Sequence, residues 1–240
     1  MDGFLMGSIK KGQSEKIQKA LQYNFIRPSL LEEALTHPSA MNHHKGDAVA
    51  YERLEFLGDR VLGLVIAEML LKRNPNEAEG DIAKRHTALV RGETLTIIAE
   101  NIGLGESLLL SSGEHKTGGR YKAAVLADAM EALIGAIYLD GGLEAAQELI
   151  LREWNDIANS IETPPQDPKT ILQEWVQEKS LPLPKYELVS KTGFEHEPVF
   201  EMRVSVEGFK DVMASSTSKR RAEKKAAEQM LKNIEEENDR

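Results

Sequence analysis

Apolar residues recur at three- and four-residue spacing through most of the first 160 positions, with polar residues filling the gaps. That period marks helices that bury one side, so the stretches 13–23, 29–36, 50–73, 79–90, 92–102, 121–139 and 142–160 are predicted helical, with Gly, Pro and Asn at the joints. Strand-like alternation is missing from this half. It takes over further on: a helix is predicted at about 169–180, then YELVSKT, PVFEMRVSV and FKDVMASS alternate as strands, and a second helix starts at about Ser218, a natural N-cap. Between the two patterns lies IETPPQDPK, whose three prolines stop helix propagation and stiffen the chain. The expected fold is an N-terminal all-α domain over 1–160, a linker over 161–168 and a small C-terminal α+β domain of order α-β-β-β-α over 169–238.

Composition narrows the classes. At 41% hydrophobic and 29% charged residues the chain sits near the globular average, which excludes a disordered tail. Glu68 interrupts the apolar run from Val61, and Asp128 and Glu131 interrupt the one from Ala123, so no stretch reaches the roughly 18 apolar residues of a membrane span. MDGFLMGSIKKGQ at the N-terminus lacks a long apolar core followed by a cleavage site, so the cytoplasm is the expected compartment. Cysteine is absent, which removes disulfides, thiolate metal sites and cysteine nucleophiles and leaves carboxylate and imidazole as metal ligands.

The net charge of −9 divides into −6 over residues 1–160 and −3 over the rest, so neither half is basic overall. Distribution matters more than the average. SKRRAEKKAA gathers Lys219, Arg220, Arg221, Lys224 and Lys225 around a single acid, Glu223. On the final helix Ala222, Ala226, Ala227, Met230 and Ile234 share one arc and Arg220, Arg221, Lys224 and Lys225 another. One face is expected to pack and the other to meet a polyanionic partner.

Acidic residues carry the candidate chemistry. In YERLEFLGDRVLG, residues 51–63, Glu52, Glu55 and Asp59 fall within about a 60° arc of one helix, with Cβ neighbours roughly 5–6 Å apart. Taken alone, a solvated acidic stripe explains that spacing. AAVLADAMEALIGAIYLD, residues 123–140, changes the balance: this apolar helix holds Asp128 and Glu131 on one face and no Lys or Arg to neutralise them. Side by side, the two helices would bring Glu55, Asp59, Asp128 and Glu131 into one oxygen-rich cluster suited to a hard divalent ion such as Mg2+. Gly58 and Gly135 fit such a close approach of backbones.

These residues resemble a known family. ERLEFLGD at 52–59, with LTHPS at 35–39, EGD at 79–81, LVRGETL at 89–95 and LADAMEALIGAIYLD at 126–140, is similar to the pattern of the bacterial ribonuclease III endonucleases. DPKT at 167–170, LQEW at 172–175, Pro184, Tyr186, the G-EH-P run at 193–198 and SKRRAEKKAA at 218–227 resemble the double-stranded-RNA-binding domain that follows the nuclease domain there. The likeness covers nearly the whole chain. It implies a helical nuclease domain that forms a homodimer and, with Mg2+ or Mn2+ in its place, hydrolyses both strands of duplex RNA to 5′-phosphate and 3′-hydroxyl ends. Ribosomal RNA precursors and messenger RNA are the implied substrates.

By the same resemblance Glu55, Asp128 and Glu131 are metal ligands, Asp59 and Glu131 catalytic carboxylates, and Glu52 a supporting residue of the cleft or dimer. Lys219 and Arg220 are expected at backbone phosphates, and Gln173, Glu174 and His196 at minor-groove hydroxyls. Two departures stand out: Arg60 occupies a position where many relatives carry a small residue, and the loop MASSTS, which precedes the basic helix, replaces their glycine-rich run. A non-catalytic duplex-RNA-binding or ribosome-associated protein of the same fold would be expected to lack one or more of Glu55, Asp59, Asp128 and Glu131, and all are present. A di-iron oxidase bundle needs Glu-x-x-His on two helices, a motif the chain lacks.

Overall fold

The apolar stripes become the buried faces of helices α1 (Lys11–Leu21), α2 (Pro28–Leu35), α3 (Lys45–Arg73), α4 (Glu79–Val90) and α5 (Gly92–Asn101), followed by the short α6 (Leu104–Ser107) and α7 (Ser112–Lys116) and the long α8 (Ala123–Ser160). This computed structural model describes residues 11–40, 45–194 and 197–238. The chain divides into two compact units, Met1–Pro165 and Gln166–Arg240.

Within the first unit α3 and α8 lie against each other through Leu54, Val61, Leu62, Val65, Leu133, Ile134 and Ile137, all buried. The break expected between 139 and 142 is present: at Gly142 the backbone takes φ 81, a left-handed conformation open to glycine, and two helical segments meet there. α6, α7 and the 3-10 turns at Pro38–Ala40 and Gly119–Tyr121 were not anticipated, because elements of three to five residues are too short to display a period. An isolated parallel bridge joins Thr36 to Leu109, with the Leu109 amide donating to Leu35 at 2.8 Å and the His37 amide to Leu109 at 3.0 Å. It fixes the start of the LTHPS segment. Arg85, 5% exposed, forks onto the Glu77 carboxylate and donates to the carbonyls of Ile161 and Glu162, anchoring the chain as it leaves α8. No described helix is long and apolar enough to cross a membrane.

The second unit runs α9 (Pro168–Glu178), β1 (Lys185–Phe194), β2 (Glu197–Ser205), β3 (Val212–Ser216) and α10 (Lys219–Asn238). The strands form an antiparallel sheet in order β1-β2-β3, with a bulge between Leu188 and Ser190. Leu172 and Val176 from α9, Val204, Val206 and Val212 from the sheet, and Ala226, Ala227, Met230 and Ile234 from α10 make its core. The apolar arc of the last helix therefore packs as expected, Ala222 included. Two expectations need correction. Phe209, Lys210 and Asp211 lie outside the third strand, because the chain turns at Gly208 (φ 85) and the Phe209 amide donates back to Val206. MASSTS is not a loop: Met213 to Ser216 pair with β2, leaving Thr217 and Ser218 as the connection to α10.

Candidate active site

Two missing side chains bring the acidic faces together. A methyl group added at Gly58 would sit 1.8 Å from the carbonyl oxygen of Glu131, and one added at Gly135 would sit 2.2 Å from that of Leu54. The helices α3 and α8 thus cross backbone against backbone within a turn of the acids on each, and a substitution at either glycine forces them apart. At this crossing Glu55, Asp128 and Glu131, all half-buried, each bring one carboxylate oxygen within 4.8 Å of the others.

The trio is electrostatically unsatisfied. Burial raises the Glu131 carboxyl to about 7, and the charges of Asp59, Glu55 and Asp128 push the same way against the opposing Arg60. Glu55 is raised by burial and then by Asp128, Glu52 and Asp59, and Asp128 by burial with His37 opposing. No hydrogen bond from a described residue offsets these effects. Clustered, desolvated carboxylates with no donor suit a hard divalent cation, which would neutralise them at once.

The expected group of four acids is, among the described residues, a tight group of three. Asp59 pairs instead with its neighbour, Arg60 Nη1 lying 2.8 Å from Oδ2, and keeps 38% of its side chain exposed. Arg60 also lies over the Phe56 ring, 5.1 Å from its centroid. Asp59 nevertheless flanks the trio, since it is the charge Glu131 feels most. Glu52 is exposed on the same helix and lies outside the group.

Two further residues border the trio that acidic spacing alone does not reveal. His37 accepts the Ser39 amide at Nδ1, 3.1 Å away, and its ring meets that of Tyr51 edge-on at 6.1 Å. Burial lowers its pKa while Glu114 and Asp128 oppose that shift. Tyr51 is buried one turn before Glu55, and its hydroxyl has no hydrogen-bond partner among the described residues. The available signal was position: His37 sits inside LTHPS, and Tyr51 immediately precedes ERLEFLGD.

Comparison with known proteins now bears on this geometry. Residues 27–157 match a family model described as Ribonuclease-III-like, and residues 168–234 match the double-stranded RNA binding motif. "Ribonuclease 3" of Wolbachia pipientis subsp. Culex pipiens is 49% identical over 92% of this chain and 96% of its own length.

The chain belongs to the ribonuclease III family.

"Ribonuclease 3" of Ehrlichia canis is 47% identical over 92% of this chain and 97% of its own. Among solved structures, the nuclease domain of ribonuclease III from Campylobacter jejuni, described for flexibility in a region involved in dimer formation, superposes with a TM-score of 0.55 at 42% identity, covering 59% of this chain and 96% of that one. The chain is an endoribonuclease with a double-stranded-RNA-binding unit. The family is metal-dependent, and the trio is a group of three acids able to hold an ion.

In the RNA-binding unit of this ribonuclease III, Gln173 and Glu174 are exposed on α9 between the buried Leu172 and Val176. Lys219 and Arg220 are exposed in the first turn of α10, where Ser218 Oγ accepts the Arg221 amide at 3.3 Å. Lys224 differs from them. It is half-buried and pairs with Asp167 at 2.7 Å, while Lys169 pairs with Glu223 at 2.5 Å and lies over the Tyr186 ring at 4.5 Å. The basic cluster thus divides into side chains engaged within the unit and side chains held outward. His196 lies outside the described residues.

Proposed function

We propose that this enzyme is a Mg2+-dependent hydrolase of both strands of duplex RNA, with residues 1–160 catalytic, 161–168 a linker and 169–238 the RNA-binding domain. The observation that carries the reading is the convergence of Glu55, Asp128 and Glu131, raised in pKa and without donors, in a chain of this family. These carboxylates hold Mg2+, or Mn2+ in its place, through oxygen ligands. A divalent ion bound there supplies an acidified water and neutralises charge on the phosphate oxygens.

The side chains do the rest. Asp59, flanking the trio and paired among the described residues only with the exposed Arg60, receives a proton or hydrogen bond from the attacking water. The water oxygen bonds to phosphorus as the P–O3′ bond breaks, leaving a 5′-phosphate and a 3′-hydroxyl that gains a proton. Glu52 supports the cleft from the exposed side of α3. The acids repel RNA until a cation is present, so affinity comes from the second unit: Lys219 and Arg220 on phosphates, Gln173, Glu174 and His196 on minor-groove hydroxyls.

A homodimer through the nuclease domain accounts for the large apolar side chains that α3 leaves exposed, Phe56 at 64%, Leu64 at 58% and Leu71 at 62%. Structured precursors such as those of ribosomal RNA, in the cytoplasm, are the substrates that fit. The test is incubation of perfect duplex RNA with and without Mg2+, followed by end analysis. Glu131→Gln is expected to keep duplex binding while cleavage falls by more than about a hundredfold. Cleavage by the variant at the wild-type rate would remove Glu131 from the mechanism.

A further inference from the structure

Tyr51 is 2% exposed, and its hydroxyl is buried without a hydrogen-bond partner among the described residues. Buried donors are seldom left so, because desolvation without a replacement bond is costly. Other covered donors of the same unit are satisfied: the buried Trp154 indole donates to the Leu89 carbonyl at 2.8 Å, and the half-buried Tyr23 hydroxyl to Asp140 at 2.8 Å. Tyr51 stands one helical turn before Glu55, on the same face of α3. Asp128, Glu55 and Glu131 are the charges that act most strongly on that hydroxyl. From the other side the His37 ring meets it edge-on, and that ring is held by Ser39.

A buried donor without an acceptor and three carboxylates without donors, among the described residues, therefore meet at the crossing of α3 and α8. We propose that Tyr51 is a positioning residue for the cation-binding trio, its O–H donating to a carboxylate oxygen of the trio, or to a water they hold, once a divalent cation has drawn them together. The inference rests on the reading that the trio binds Mg2+. A cation that draws the three carboxylates together fixes their oxygens as charged acceptors, and a charge-assisted O–H···O bond is the stronger kind. Such bonds orient ligands to a metal, and their loss commonly costs about tenfold or more in metal affinity.

The test uses the full-length protein and Tyr51→Phe, which keeps ring and shape and removes only the donor. Melting temperatures are recorded over a MgCl2 series, Mg2+ binding is measured by calorimetry, and duplex cleavage is followed at saturating Mg2+. The metal-free variant is expected to melt at the wild-type temperature or above it, since an unsatisfied group has gone. Its Mg2+ dissociation constant is expected to rise about tenfold, with a smaller Mg2+-induced rise in melting temperature and a lower kcat at unchanged duplex KM. A fall in the metal-free melting temperature, or failure to fold, would mean that the hydroxyl is already bonded in the empty site, which overturns the proposal. Superimposable Mg2+ titrations of variant and wild type would overturn it equally. A wild-type protein without any Mg2+ response would instead remove the cation reading beneath it, a result visible without the variant.

Discussion

Helix α8 buries carboxylates in two ways. Asp140, with its side chain fully covered, accepts the Tyr23 hydroxyl at 2.8 Å, the amides of Ile26 and Arg27 at 2.8 and 2.9 Å, and Arg27 Nε at 3.3 Å. Burial alone would raise its pKa, but these donors outweigh it and hold the carboxyl below the usual range. Glu131, two and a half turns earlier and half-buried, has no such donor among the described residues and rises to about 7. Burial alone does not decide the charge state; the supply of donors and the charges nearby do. The fold spends hydrogen bonds on Asp140 to pin the chain between α1 and α2 against α8, and leaves Glu55, Asp128 and Glu131 for a ligand that the protein does not itself provide.

The contrast breaks most visibly at Asp140. Asp140→Ala leaves two backbone amides, a hydroxyl and a guanidinium without their acceptor, so unfolding free energy is expected to drop by about 3 kcal/mol in denaturant titrations. Cleavage per folded molecule should be unchanged, and a loss below about 1 kcal/mol would show that solvent replaces the carboxylate.

Removing the other kind of acid has the opposite sign. In metal-free protein Glu131→Gln abolishes a buried charge that nothing compensates, and is expected to stabilise by on the order of 1 kcal/mol at pH 8, after allowance for solvent screening. The pH dependence follows. With a native value of about 7 against 4.5 for the free side chain, folded protein binds the extra proton between those limits. Wild-type stability from this group is thus greatest at low pH and lost as pH rises through 7, so the advantage of the Gln variant should be small at pH 5 and full at pH 8. Saturating Mg2+ should reverse the order. An advantage independent of pH would mean that Glu131 ionises normally.

How much of this contrast could be read along the chain depends on the reach of each interaction. The acids of α3 and α8 were legible because helical period places Glu55 near Asp59 and Asp128 near Glu131, and Gly58 and Gly135 mark the crossing. Asp59 fell outside the trio because an adjacent guanidinium competes for it, a contact without periodic signature. Asp140 closes the LADAMEALIGAIYLD run, yet its donors lie more than 110 positions away in sequence, where no local pattern connects them. The same holds for Tyr51, whose apolar ring hides a hydroxyl that matters only beside residues of another helix. Strand identity survived in the second unit because alternation is local, while the start of β3 did not, since Gly208 sets the turn.

The smallest effects extend the comparison to positive charge. Lys224 is committed to the fold through Asp167, whereas Lys219, one residue into α10, makes no ion pair with a described residue. If donors withheld from the fold mark the ligand surface, these two lysines must respond to different measurements. Replacing Lys219 and Arg220 with Ala is expected to leave stability within about 0.5 kcal/mol and to reduce the slope of log affinity against log salt for duplex RNA by about two, one for each lost phosphate contact. Lys224→Ala should leave that slope in place and lower stability by about 0.5 kcal/mol, the worth of a half-exposed ion pair. A salt slope that falls as much for Lys224→Ala as for Lys219→Ala would show that RNA draws Lys224 away from Asp167, and that internal pairing does not keep a charge from the partner.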